Sequence, residues 1–200
     1  MILAAGMGKR LGKHTQDHTK GMVEVNGITL IERAIKALNK QGIIRIVIVL
    51  GYKGDKLTSF LKEKFSQLDL VFVNNPIYDT TNNIYSLWLA KQFLTEEDTI
   101  LLESDVIFED DILEGLIESR HRTLAVVAKY ESWMDGTVTL IDEEDNILFR
   151  KKVLTGIRLH TIIKRLIFIS FPKSSARAIT FRFWMHILKR WGIMNITNKY

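Results

Sequence analysis

Gly6-Met7-Gly8-Lys9-Arg10 follows directly on a short apolar run at residues 1–5. Glycines let backbone approach a ligand closely, and the two cations behind them can neutralise phosphate charge. The segment is not a Walker loop, because no Gly-Lys-Ser/Thr follows at the required spacing, and it lacks the third glycine of the dinucleotide fingerprint. On glycine spacing alone, a phosphate loop and an ordinary strand-to-loop turn stand level. Asp105 follows a second apolar run, 99–103, and would project at the end of that strand near the glycine segment. A hard oxygen ligand there is what nucleotide-bound Mg²⁺ requires. The alternative is a solvated aspartate capping the next helix, a role that Asp110-Asp111 fill better. Asn74-Asn75 and Asn82-Asn83-Ile84-Tyr85-Ser86 offer amides and a hydroxyl whose donors and acceptors suit the edge of a base, while Thr81 or Asn82 also suits a helix N-cap. The five histidines form no metal-ligand constellation, and there is no Gly-x-Ser-x-Gly elbow.

The elements that must hold these residues follow from apolar spacing. Residues 29–40 place Leu30, Ile31, Ala34, Ile35 and Leu38 on one helical face, with Gly42 just past the end. Residues 43–50 form an aliphatic run interrupted only by Arg45, as expected of a strand covered on both faces. The pattern predicts further helices at 55–65, 82–94 and 110–119, and strands at 68–73, 99–103, 123–129, 137–141 and 147–149. Strands alternating with helices of this length mean βαβ units and an α/β fold with a mostly parallel, Rossmann-like sheet flanked by helices. Ligands bind such sheets at the carboxyl ends of the strands, where the glycine segment, Asn74-Asn75 and Ser104-Asp105 all fall.

Composition narrows the class. Of 200 residues 46% are apolar and only two are proline, which excludes disordered and collagen-like chains and leaves one domain, or one and a fragment. No residue is cysteine, so disulfides and thiolate metal sites are excluded. With no basic-then-apolar leader and no apolar run long enough for a membrane span, a cytoplasmic location is expected. The net charge of +5 hides a break: residues 1–150 hold 17 Lys and Arg against 23 Asp and Glu, whereas 151–200 hold 11 and none. A domain at 1–150 and a basic segment at 151–200 are therefore expected.

Leu3-Ala4-Ala5-Gly6-Met7-Gly8-Lys9-Arg10-Leu11-Gly12 resembles the signature of the nucleotidyltransferase superfamily that includes sugar-nucleotide pyrophosphorylases and MobA-like proteins. Lys20-Gly21-Met22-Val23-Glu24-Val25-Asn26-Gly27 falls where that family has Pro-Lys-x-Leu-x-x-Val-x-Gly, with Thr19 in place of the proline. Asn82-Asn83-Ile84-Tyr85-Ser86-Leu87 resembles an element of the bacterial cytidylyltransferases that activate phosphocholine and 2-aminoethylphosphonate. Ala128-Lys129-Tyr130-Glu131 and Trp133-Met134-Asp135-Gly136 are similar to the phosphonate branch. The resemblance implies transfer of a nucleotidyl group, CMP from CTP, to a phosphorylated or phosphonate acceptor with release of pyrophosphate. It implies Arg10 and Lys20 as catalytic cations. Leu3, Ala4, Ala5, Gly6, Gly8, Lys9, Asn74, Asn83 and Ser86 would hold the nucleotide, Asp105 would hold Mg²⁺, and Lys129, Trp133 and Asp135 would hold the acceptor. Nucleic acid is not an expected partner, and no membrane span is expected. The other readings are a nucleotide-binding remnant without activity and a protein working through its basic tail on anionic lipid or nucleic acid.

The segment 151–200 has poor periodicity and no counterpart in the family. Met and Trp each have a single codon, which fixes several residues in an offset frame. Joining the third base of each codon to the first two of the next, Phe183/Trp184 must give Leu, Trp184/Met185 Asp, Met185/His186 Ala and Met194/Asn195 Glu. The string so permitted resembles a segment of these cytidylyltransferases and restores the missing acids. The chain is therefore expected to leave the family's frame between about residues 145 and 161, leaving the domain incomplete at its C-terminal side. Nucleotide sequencing across codons 140–200 checks this, and an offset frame that does not spell the family segment ends the idea.

Overall fold

A computed structural model of the 200-residue chain describes residues 1–121 and 124–129, and beyond them the backbone of strands at 138–141, 147–148 and 162–171. Its elements are, in chain order, β1 (Ile2–Ala4), β2 (Glu24–Val25), β3 (Ile28–Thr29), α1 (Leu30–Lys40), β4 (Arg45–Leu50), α2 (Gly54–Lys64), β5 (Asp69–Asn74), α3 (Asn83–Leu89), α4 (Lys91–Glu96), β6 (Thr99–Glu103), α5 (Asp110–Glu118), β7 (Leu124–Lys129), β8 (Val138–Ile141), β9 (Ile147–Leu148) and β10 (Ile162–Phe171). Short 3₁₀ segments at Lys9–Thr15 and Lys20–Met22 lie between β1 and β2.

The aliphatic runs become the parallel half of the sheet, in the order β5-β4-β1-β6. Because side chains alternate along a strand, each run feeds two cores. Ile2, Ile46, Ile48 and Leu102 pack with Ile31, Ile35 and Leu38 of α1, Leu57 and Leu61 of α2, and Leu113 of α5. Leu3, Val47, Val49 and Leu101 pack on the other face with Leu87 of α3, Ala90 and Leu94. Burying each such side chain is worth about 1.5–3 kcal/mol, which selects this layering over any single-faced one. Thr29 caps α1 by accepting the Glu32 N–H at 3.2 Å, and Gly42 ends the helical region in the left-handed conformation, φ 77°.

From β1 the chain winds outward through β4 to β5 and then crosses back to β6 on the other side of β1. The crevice between the carboxyl ends of β1 and β6 is thus a topological switch point, the place where such sheets receive ligands.

Two local features depart from the sequence expectation. The helix expected over 82–94 is broken into α3 and α4 at Ala90, whose N–H turns back to the Leu87 carbonyl at 3.1 Å, a tighter bond than an α-helix makes. The basic segment supplies β10, for which apolar spacing predicted no element. This strand runs antiparallel to β6, β7 and β8. Among the described residues no helix is long and apolar enough to cross a membrane.

At the amino end of the sheet, β1 is only three residues long, and a cleft of about 620 Å³ lined in part by Ile43, Ile46, Phe93, Ile100 and Leu116 adjoins Met1. The Met1 α-amino group donates to the Ile100 carbonyl at 2.8 Å. Burial pushes its pKa down from 8.0 to about 5. Between those values the unfolded chain holds the proton and the folded chain does not, so stability rises with pH across this window and is lost as pH falls through it. The gap corresponds to about 4 kcal/mol at most. In a chain beginning at Met1, the urea midpoint is expected to climb from pH 5 to pH 8. N-formylation should flatten the climb, and equal pH slopes with and without the formyl group would refute the assignment.

Candidate functional site

The glycine segment leaves β1 at the switch point and folds over the side chain of Lys20. Gly8 is left-handed, with φ 64° and ψ 31°. A Cβ there would lie 3.0 Å from both Lys20 Cβ and Thr15 Cγ2, and one at Gly6 would lie 3.5 Å from Lys20 Cε. Position 8 therefore excludes side chains twice over, by backbone conformation and by space. The Gly8 carbonyl accepts from the Leu11 N–H at 2.8 Å and from the Thr15 hydroxyl at 3.1 Å, which fixes the loop internally. Lys9, Arg10 and Lys13 are exposed on it.

Lys20 and Asp105, predicted to act on phosphate and on metal, meet across the crevice. Lys20 Nζ donates to Asp105 Oδ2 at 2.9 Å, with 21% and 29% of the two side chains exposed. The short segment carrying Lys20 packs directly on the end of β6. A Cβ on Gly21 would stand 3.0 Å from both Cβ and the carbonyl oxygen of Ser104, so glycine is what lets Lys20 come this close. Around the pair, Asp105 Oδ1 and the buried hydroxyls of Thr19 and Ser104 have no hydrogen-bond partner among the described residues. Thr19, standing where the family pattern has proline, places a hydroxyl in a site where none of the described residues receives it. Such unpaired buried groups are costly, and gathered in one place they mark a site built for something else to enter.

The residues present fit Mg²⁺ in a limited sense. Among the described residues no group of three His, Asp or Glu is placed to hold a metal ion. Magnesium commonly takes one or two carboxylates and completes its shell with substrate phosphates and water. Asp105, with one oxygen unpaired and one shared with a displaceable lysine, is chemically suited to that part.

The amide residues take different places. Asn74 ends β5 opposite Leu50 and is exposed. Its neighbour Asn75 is buried: Nδ2 donates to the Thr81 and Ser86 hydroxyls, both at 3.1 Å, and Oδ1 accepts the Ile77 N–H at 3.1 Å. Ser86, predicted to face a base, is thus buried and engaged by Asn75. Asn82 caps α3 through the Ile84 N–H, and Asn83 Nδ2 donates to Glu103 Oε1 at 2.7 Å, tying α3 to the end of β6. Spacing did not single out Asn75 as the hub of this wall, although its position one residue beyond the strand was the available signal. The structure thus brings Gly6, Gly8, Lys20 and Asp105 together, and Asn83 close to Glu103. Leu3 and Ala4 are buried in β1, with Ala5 buried just beyond it. Lys129 lies at the end of β7, whereas Trp133 and Asp135 lie outside the described residues.

Comparison with known proteins fits this geometry. Residues 1–163 match the model of the MobA-like NTP transferase domain. The chain is 34% identical over 138 residues to a CTP:phosphoglutamine cytidylyltransferase of Campylobacter jejuni, covering 66% of this chain and 53% of that protein. It is 36% identical over 127 residues to a choline-phosphate cytidylyltransferase of Streptococcus pneumoniae, covering 61% and 53%. A solved CTP:phosphocholine cytidylyltransferase from Streptococcus pneumoniae superposes with a TM-score of 0.68 at 26% identity, covering 93% of this chain and 76% of that one. The chain spans about half the length of these two curated relatives. Since the match at residues 1–163 spans most of the chain, the chain belongs to the MobA-like NTP transferase domain family.

Proposed function

We propose that this domain transfers CMP from CTP to a small phosphorylated or phosphonate acceptor. An acceptor oxygen attacks the α-phosphorus, a new P–O bond forms, and the α–β bridging P–O bond breaks, its electron pair leaving with pyrophosphate. The observation that carries the reading is the Lys20–Asp105 pair against the glycine loop at the switch point, a cation and a carboxylate held where phosphate and its metal would sit. The names of the curated relatives support cytidine as the base and a phosphate or phosphonate as the acceptor.

Catalysis on this reading is positioning plus charge neutralisation, without a covalent protein intermediate. Backbone amides at Gly6 and Gly8 hold the phosphate chain, and Leu3, Ala4 and Ala5 fix the loop's origin in β1. Lys9, Arg10 and Lys20 balance the negative charge that concentrates on the departing pyrophosphate. Asn74 and Asn83 are proposed for the base, with Ser86 behind them through its bond from Asn75, and Lys129 is proposed for the acceptor. Asp105 would hold Mg²⁺, which when bound supplies charge neutralisation of the triphosphate. As the nucleotide enters, Lys20 exchanges one anionic partner for another, so its charge is never left unpaired in a half-buried site.

Asp105→Asn removes the carboxylate charge at nearly constant shape. Pyrophosphate release from CTP with Mg²⁺ and phosphocholine, phosphoglutamine or 2-aminoethylphosphonate is expected to fall about 100-fold or more in kcat/KM. A wild-type rate in Asp105→Asn would sink the metal assignment. If CTP raises the melting temperature of the wild-type chain but no pyrophosphate appears with any acceptor, the domain binds nucleotide without turning it over.

A further inference from the structure

The glycine loop has a tether that none of the residues assigned above provides. Tyr52 follows β4 by two residues and touches the chain on both sides of the loop. Its backbone N–H donates to the Ala5 carbonyl at 3.1 Å, immediately before the loop begins. Its phenol O–H donates to the Gln16 carbonyl at 2.8 Å, immediately after the 3₁₀ segment that ends the loop at Thr15. One residue thereby closes the ten residues between Ala5 and Gln16 into a ring and sets the separation of its two ends.

The geometry around Tyr52 is constrained as if this position mattered. A Cβ on the preceding Gly51 would lie 2.5 Å from the Ala5 oxygen and 2.7 Å from Tyr78 Cβ, so only glycine lets β4 pass this close to the start of the loop. Lys53 adopts φ 53°, unusual for a side-chain-bearing residue, and the Gly54 N–H returns to the Gly51 carbonyl at 3.1 Å, making a tight turn that aims the Tyr52 ring. The ring meets Tyr78 edge-on at 6.2 Å between centroids, and Lys53 Nζ lies 5.7 Å from its centre. The bonds within the loop converge on Gly8 and Thr15. Nothing in them ties residue 16 back to the sheet, and that is the job the phenol does.

We infer that Tyr52 is a positioning residue for the phosphate loop: its hydroxyl holds the far end of the loop so that the Gly6 and Gly8 amides and the side chain of Arg10 keep their places. The loop's positioning rests on the structure alone, and its consequence for kinetics rests on the nucleotidyltransferase reading above. Tyr52→Phe is the discriminating variant, because it keeps the ring, the contact with Tyr78 and the backbone bond to Ala5, and deletes only the bond to Gln16.

Two measurements test the inference on the whole chain. Trypsin should cleave Tyr52→Phe after Lys9, Arg10 and Lys13 about 5-fold faster than wild type, while cleavage after Lys62 and Lys64 in α2 and the melting curve stay in place. With CTP as the varied substrate, KM should rise about 5-fold with kcat changed much less, as expected when one hydrogen bond orders a binding element and takes no part in the reaction. Equal loop cleavage and equal KM in the two proteins overturn the inference. So does faster cleavage at the α2 sites to the same degree, which would make Tyr52 a general stabiliser. If the wild type turns over no CTP, the functional reading fails and the proteolysis alone decides the role of Tyr52. Should Tyr52→Phe not fold, Tyr78→Leu is the second variant: it removes the ring contact and keeps the Tyr52 phenol, so loop cleavage should stay near the wild-type rate, and cleavage that speeds up with the phenol in place overturns the inference.

Discussion

The ion pair between Lys20 and Asp105 joins residues 85 apart in sequence, at the point where the sheet reverses its winding. Its cost explains much of what surrounds it. Two charges with only a fifth to a third of each side chain exposed lose part of their hydration and recover it only through each other and through neighbours. The described neighbours do not help, since Asp105 Oδ1, Thr19 Oγ1 and Ser104 Oγ find no partner among the described residues. A core optimised for stability alone would replace these groups with aliphatic ones, as it does a few residues away at Leu101 and Leu102. The polar cluster persists at the end of a sheet whose interior is almost wholly aliphatic. An incoming anion and cation would relieve both halves of the pair at once.

The rest of the fold keeps these two residues in reach. Lys20 belongs to no long element and depends on packing: Gly21 lets its segment lie on Ser104, and Leu30 at the start of α1 returns a backbone bond to Val23 at 3.0 Å. Asp105 depends on β6, which pairs with β1 at Leu102 and Glu103 on one edge and with β10 from Thr99 to Leu101 on the other. The two partners grip opposite ends of the same short strand. Its carboxyl end, with Glu103, Ser104 and Asp105, therefore emerges beyond the last β10 pair and faces the crevice on that side. Glu103 is in turn held by Asn83, which links the end of β6 to α3 on the opposite face of the sheet.

How much of this the sequence disclosed depends on the range of the interaction. The glycine segment after β1, the helix beginning near residue 29 and the placement of Asp105 just past a strand are decided within a few residues, and spacing was enough to find them. Lys20 became legible only through family resemblance, because nothing local tells a phosphate lysine from a solvated one. Partner choice was not legible. Asn75 and Ser86 are both polar residues in a plausible binding stretch, and only the fold decides that they bond to each other. The break at Ala90 was hidden because apolar spacing continues through it, and β10 because its run of Ile, Leu and Phe is interrupted by Lys164 and Arg165.

The charge break at residue 150 acquires a different meaning in this setting. Were 151–200 a free basic tail, its cations would act on partners at a distance, and the sheet would end at β6 on that side. Instead Ile162–Phe171 lies against β6, β7 and β8, and its backbone closes the edge that β6 would otherwise present. An open edge beside β6 is a template for association with another chain, and covering it requires only backbone hydrogen bonds and an extended strand. Those demands are nearly independent of which side chains the strand carries. A segment with unusual composition can therefore occupy this position while contributing little to the chemistry at the other end of the sheet. The acidic part of the chain carries the placed cations of the candidate site, and the basic part contributes a strand.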